Sequence, residues 1–151
     1  MPTIHLETYI NAPMEVVFDL ARNIDFHKFS ATGTDERAIA GKTTGLINLG
    51  ETVTWRAKHF GIYQNLTVQI TAFDKPTFFI DTMIKGAFSS MMHTHTFEIV
   101  KNGTKMTDLF EYKSPLAFLG RMADFLFLKN YMTNFLLERN EILKQTAEKY
   151  R

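Results

Sequence analysis

With 151 residues, 45% of them hydrophobic and 22% charged, the chain has the size and composition of one soluble domain that can bury a core without staples. A net charge of +1 argues against a strong field for nucleic acid or anionic lipid, and the absence of cysteine excludes disulfides and thiol chemistry. No apolar run reaches membrane-spanning length, and Met1-Pro2-Thr3-Ile4-His5 lacks the basic and apolar regions of a signal peptide, so a cytoplasmic location without stable membrane insertion is expected.

Ile4, Leu6 and Ile10 alternate with His5, Glu7 and Tyr9, the period of a strand with one covered face. In Asn11-Ala12-Pro13-Met14-Glu15-Val16-Val17-Phe18-Asp19-Leu20, Pro13 can open a helix and Glu15 complements its positive end. Val16, Val17, Leu20 and Ile24 are the expected buried side of that helix. A second short helix is expected around Ile24 to Phe29, then a loop at Ser30-Ala31-Thr32-Gly33 and a short strand near Thr34 to Ile39. Gly41 to Gly50 reads as a hairpin-like connection. From Glu51 onward the chain is mostly β. Val53, Trp55 and Ala57 alternate with polar neighbours, as do Leu66, Val68, Ile70 and Ala72, with turns at His59-Phe60-Gly61 and Asp74-Lys75-Pro76. Strands follow at Thr77 to Lys85, Ser90 to Val100 and Lys105 to Lys113, the last two joined by the hairpin signal Lys101-Asn102-Gly103-Thr104.

Ser114 to Tyr150 reads as a long helix. Ser114-Pro115 offers a cap and a first-turn proline, and Leu116, Phe118, Leu119, Met122, Phe125, Leu126, Leu128, Met132, Phe135, Leu136, Ile142 and Leu143 recur at helical spacing. Phe127 and Tyr131 fall away from this stripe, Gly120 marks a candidate kink, and Glu138 and Arg139 read as an ordinary surface pair. So much apolar surface needs a cover. Fourteen phenylalanines and eight methionines suit both a core and the wall of an apolar pocket.

Ile10-Asn11-Ala12-Pro13-Met14-Glu15-Val16-Val17-Phe18 resembles the strand-to-helix opening of the START-like (SRPBCC) superfamily, which includes polyketide cyclases, plant pollen-allergen ligand carriers and lipid-transfer domains. The run from Gly50 to Gly61, with Thr52-Val53-Thr54-Trp55-Arg56-Ala57 at its centre, is similar to a bacterial branch of largely unassigned function. His93-Thr94-His95-Thr96-Phe97 and Arg139-Asn140 fit that branch as well. The resemblance spans residues 1–151 as a single START-like domain. It implies an α+β helix-grip: a curved antiparallel sheet of about seven strands wrapped around the long C-terminal helix, with two short helices after the first strand and a cavity between sheet and helix.

Strand alternation suggests what faces that cavity. Val53, Trp55, Leu66, Val68 and Ile70 are expected inward, followed by Phe79, Asp81 and Met83; Met91, His93, His95 and Phe97; and Met106, Asp108, Phe110 and Tyr112. Phe78, Ile80 and Ile84 contest the register of the strand that carries Asp81, and a β-bulge would flip part of any strand. The resulting candidate ligand wall is Val53, Trp55, Val68, Phe79, Met83, Phe97, Phe110, Phe125 and Met132. Arg56, with Lys58 and His59, is a candidate polar anchor for a carboxylate or phosphate head group, or simply a solvated strand face.

Two histidines and two carboxylates in an apolar pocket call for a His–Asp pair. His93 or His95 could act as general acid or base oriented by Asp81 or Asp108; the same groups suit a buried network that fixes register or orients a ligand's head. His93-x-His95 plus a carboxylate has the donor types of a metal site, but without further ligands no metal is assigned, and no cofactor is implied. No GxSxG, GxxxxGK or GxGxxG motif occurs. The readings that follow are a carrier or sensor of a small hydrophobic molecule with a polar head, a cyclase- or dehydratase-type enzyme using the His–Asp pair, and a protein-interaction domain.

Overall fold

The computed structural model describes residues 2–31, 33–114 and 127–149. Strand β1 (Thr3–Ile10) leads into helices α1 (Met14–Ala21) and α2 (Ile24–Ser30). Six strands follow: β2 (Arg37–Gly41), β3 (Thr52–His59), β4 (Ile62–Asp74), β5 (Phe78–Lys85), β6 (Ser90–Val100) and β7 (Gly103–Lys113). Helix α3 spans Lys129–Glu148. The strands form one antiparallel sheet in the order β1-β7-β6-β5-β4-β3-β2, so every neighbour after β2 is a hairpin partner and the first strand closes against the last. The sheet curls around α3, the helix-grip arrangement. Among the described residues no helix is long and apolar enough to cross a membrane.

The alternating residues do set the inner face. Ile4, Ile10, Val53, Trp55, Val68, Ile70, Phe79, Met91, Phe97, Met106 and Phe110 are buried together. Register then brings the polar residues side by side: Asp81 stands opposite His93, Phe79 opposite His95, His95 opposite Asp108 and His93 opposite Phe110. Those pairings settle the face of β5, with Phe79 buried and Ile84 and Lys85 exposed.

Three expectations change. The register of β4 slips between Ile70 and Ala72 as it pairs with β5; beyond the slip Phe73, rather than Ala72, carries the aromatic contact inward. The buried residues of α1 are Val17 and Phe18, with Val16 and Leu20 only half-buried. Phe18 sits at the centre of an aromatic cluster, its ring 5.4 Å from Phe73, 5.4 Å from Phe79 and 5.2 Å from Phe97. Strand β2 begins at Arg37, later than Thr34, because α2 runs through Ser30 and Asp35 takes a left-handed conformation at φ 48° before the chain straightens.

The β6–β7 hairpin forms where its sequence signal lies, with Asn102 at φ 71°. Gly103 is required there by proximity, since a Cβ would fall 2.1 Å from the Ile10 carbonyl oxygen. In α3, Leu136, Asn140, Leu143 and Ala147 are buried at helical spacing and pack toward β1, α1 and α2. Pro115, Gly120, Phe125 and the rest of the expected first half of that helix lie outside the described residues.

Candidate functional site

Between the inner face of the sheet and helices α2 and α3 lies a cavity of about 350 Å³. That is within the size range of small-molecule sites. Val53, Trp55, Val68, Phe79 and Phe110 line it from the sheet and Met132, Phe135 and Leu136 from α3. Into this apolar wall project Asp81, His93 and His95, with Glu36, His27, His59 and Arg139 at other points of the lining.

The polar wall is a hydrogen-bonded chain. His95 Nε2 lies 2.8 Å from Asp81 Oδ2, and His95 Nδ1 lies 3.3 Å from Asp108 Oδ1. Asp108 Oδ1 also accepts from His93 Nε2 at 2.7 Å, and its Oδ2 accepts from the Asn140 amide at 2.7 Å. Asp108, His93 and Asn140 are each 3% exposed or less, so none of these groups has water as an alternative partner.

Charge states follow from the partners. Each ring nitrogen of His95 faces a carboxylate, surroundings that favour the imidazolium form. Burial alone would lower its pKa, but the hydrogen bonds to Asp108 and Asp81 outweigh burial and raise it. The ring stacks between Phe79 at 4.2 Å and His93 at 3.8 Å. His93 is pushed down to about 4, first by burial and then by the charged His95 beside it, against the pull of Asp108. It is therefore neutral at physiological pH, with its Nε2–H committed to Asp108 and an Nδ1 lone pair that can only accept. Burial would raise Asp108, yet the hydrogen bonds from His93 and His95 hold it well below the carboxylate range. Asp81 is lowered in the same way, by the hydrogen bond and charge of His95 overcoming burial.

Asp81, His93 and His95 offer donor atoms within 4.8 Å of one another, a set of two imidazoles and a carboxylate that transition metals use. As folded they do not fit an ion well. The two rings are stacked at 26°, so one ion cannot lie close to both rings in both ring planes, and both nitrogens of His95 already face carboxylates. A metal would require His93 to leave the stack and His95 to lose a proton.

A second polar group sits across the cavity. Glu36, 7% exposed, takes the Nε2 of His27 at 2.9 Å, and the His27 ring stacks on Trp55 at 4.4 Å. Burial raises Glu36, but the His27 charge and hydrogen bond overcome it and leave the carboxyl lowered. At the end of β3, His59 Nδ1 bonds the Tyr131 hydroxyl of α3. Burial lowers His59 against the opposing charge of Glu36, and burial raises Tyr131.

Of the candidate ligand wall, Val53, Trp55, Val68, Phe79, Phe110 and Met132 lie on the cavity. Phe97 lies behind it, its ring 5.2 Å from Phe18, and Met83 stands off the cavity beside Gly86. Phe125 is outside the described residues. Of the candidate anchors, His59 reaches the cavity and Arg56 does not. Arg56 alternates with the buried Trp55 and Ala57, so it is on the outer face, its guanidinium 4.7 Å over the Tyr63 ring, with Lys58 beside it. The four candidate acid–base residues converge on one network, Asp108 behind the wall and the other three on it.

Sequence reading missed Glu36, His27, Tyr131 and Arg139. Arg139 is no surface pair but lines the cavity, and its charge helps lower Glu36 and Asp81. The signal was present, because residue 139 is one turn beyond Phe135 and Leu136 and two beyond Met132, on the same face of α3. Tyr131 was misplaced for the converse reason: the cavity is wider than the main stripe. For Glu36, in the turn before β2, no periodic signal exists.

No protein-family model and no curated protein matches the sequence. Solved structures do share its fold. TTHA0849 from Thermus thermophilus superposes with a TM-score of 0.75 at 18% identity, covering 97% of this chain and 99% of that one. Protein CV1439 from Chromobacterium violaceum gives 0.74 at 14% identity, over 97% and 96% of the two chains. Major latex-like protein 151 from Panax ginseng gives 0.71 at 13% identity, over 97% of each. The helix-grip fold is thus shared with both plant and bacterial proteins.

Proposed function

We propose that the protein binds a small, largely apolar molecule in this cavity and acts as a carrier or sensor, with the ligand's polar head oriented by the polar groups of the lining. The observation that carries the reading is the pairing of a cavity of about 350 Å³ with a polar wall whose groups are already satisfied by one another. Removing apolar ligand surface from water supplies the affinity, at roughly 25 cal/mol per Å² before the costs of association, and the fixed wall supplies orientation.

The same network weighs against the cyclase or dehydratase reading. A general base works best with a pKa near the operating pH. His93, at about 4, is a weak base near neutral pH, and both nitrogens of His95 already face carboxylates, which leaves neither turned to a substrate proton. The test is native mass spectrometry of the purified protein, followed by organic extraction. A bound mass that extraction removes is the expected result. A protein that is empty and binds none of a panel of fatty acids, polyaromatics and isoprenoids overturns the reading. Turnover of a bound carbonyl compound that falls a hundredfold or more, on the order of a lost acid–base catalyst, in His93→Gln would instead establish the enzyme.

A further inference from the structure

Among the described residues two guanidinium groups border the cavity, and they differ in one respect. Arg22 is fully engaged: it pairs with Asp19 at 2.9 Å and donates to the Ile47 carbonyl at 3.1 Å and the Asn48 side chain at 2.8 Å. Arg139 has five N–H donors and, among the described residues, no hydrogen bond and no carboxylate within ion-pair distance. It is half-buried, on the face of α3 that also carries Met132, Phe135 and Leu136 into the cavity. A guanidinium in that position loses water on one side and gains no bonded partner in exchange, which is costly unless something else arrives.

The carboxylates close enough to feel its charge are already taken. Glu36 accepts from His27, and Asp81 accepts from His95. Both balance Arg139 from a distance without engaging its planar donor fork. We propose that Arg139 is the cavity's ligand anchor and that the ligand is a small apolar monocarboxylic acid, its carboxylate held by the guanidinium and its hydrocarbon body against Trp55, Phe79, Phe110 and Met132. This rests on the reading of the cavity as a binding site for apolar molecules and names its ligand class. A planar pair of oxygens matches the guanidinium fork in geometry. A single negative charge also suits the surroundings better than two: a phosphate dianion would meet stronger repulsion from Glu36 and Asp81 than a monoanion, which asks only for the donor fork that those carboxylates leave unengaged. The His93 lone pair adds no affinity for a carboxylate, so the discrimination between acid and neutral ligand falls to Arg139.

The experiment compares matched probes that differ only in the head: decanoate with decanol, and naphthoate with naphthylmethanol, titrated calorimetrically at neutral pH. In the wild-type protein the acid of a pair binds about tenfold or more tightly than its alcohol, as expected for a charge-assisted contact. Arg139→Gln brings the acid down to the alcohol and leaves the alcohol unchanged, and Arg139→Lys restores part of the difference. Circular dichroism and the melting temperature confirm that both variants are folded. Acid and alcohol binding equally to the wild type, or Arg139→Gln weakening both alike, overturns the anchor while leaving the apolar site standing. Failure of every acid and alcohol to bind the wild type overturns the binding-site reading and the anchor with it.

Discussion

His93 Nε2 lies 2.7 Å from Asp108 Oδ1, on adjacent antiparallel strands and out of reach of solvent. The carboxylate at this point serves three donors at once, from His93, His95 and Asn140. Asp108→Asn removes the charge that they share and leaves His95 with Asp81 as its one remaining carboxylate. The expected loss is about 3–5 kcal/mol of unfolding free energy, the range for breaking a buried pair from one side. Urea denaturation measures it. A loss under about 1 kcal/mol would mean that the network contributes no more than an exposed ion pair does.

The network also sets a staged dependence of stability on pH. His93 titrates at about 4 in the folded protein and near 6.5 when unfolded, so between these values the unfolded chain binds more protons. Stability therefore falls as pH drops from about 6.5 to about 4, by about 3 kcal/mol from this residue alone. Below that, Asp81 and Asp108 continue the decline, since both are lowered in the fold and their stabilisation is lost as pH falls through their folded values. His95 acts in the opposite direction. Its raised pKa stabilises fully below the unfolded value and loses effect as pH climbs through the folded value. The optimum lies near neutrality, and His93→Gln should flatten the limb between pH 6.5 and 4. Thermal melts across pH 3.5–9 on both proteins test this; parallel curves for the two would remove His93 from the account.

Phe18 shows both what the sequence revealed and what it hid. The alternation of Val53, Trp55, Val68, Ile70 and Phe79 fixed the inner face of the sheet, because a strand has only two faces and water chooses between them. The same rule puts Asp81, His93, His95 and Asp108 together on that face. Helix α1 is only eight residues long, too few for periodicity to separate Phe18 from Val16 and Leu20. Its role emerges only where Phe73, Phe79 and Phe97 converge from three strands, one of them shifted by the slip in β4. Arg139 was hidden for a different reason: a charged residue on a mostly polar half-helix looks solvated until the cavity beside it is seen. Phe18→Ala should cost about 3–5 kcal/mol, while Val16→Ala, at a half-buried position, should cost less than half as much. Equal costs would show that α1 packs through a different face.

One stretch of the cavity lining is a contact between elements that are distant in sequence. His59 at the end of β3 bonds the Tyr131 hydroxyl of α3, and the Phe60 ring packs on Tyr131 at 4.4 Å. Phe60 itself is 62% exposed, at the tip of the β3–β4 hairpin, so that tip gains little from burial and depends on this seam to stay against the helix. Tyr131→Phe keeps the stacking and deletes one hydrogen bond, a loss of about 0.5–1.5 kcal/mol confined to this contact. Global stability should change by no more than that. If a ligand leaves past this seam, release of a bound probe such as naphthoate should speed up, and amide exchange at residues 59–63 should quicken with it. Stopped-flow displacement and hydrogen exchange read the two effects independently. An unchanged release rate with faster exchange would show that the hairpin opens without gating the cavity, and the exit would then have to be sought elsewhere along its lining.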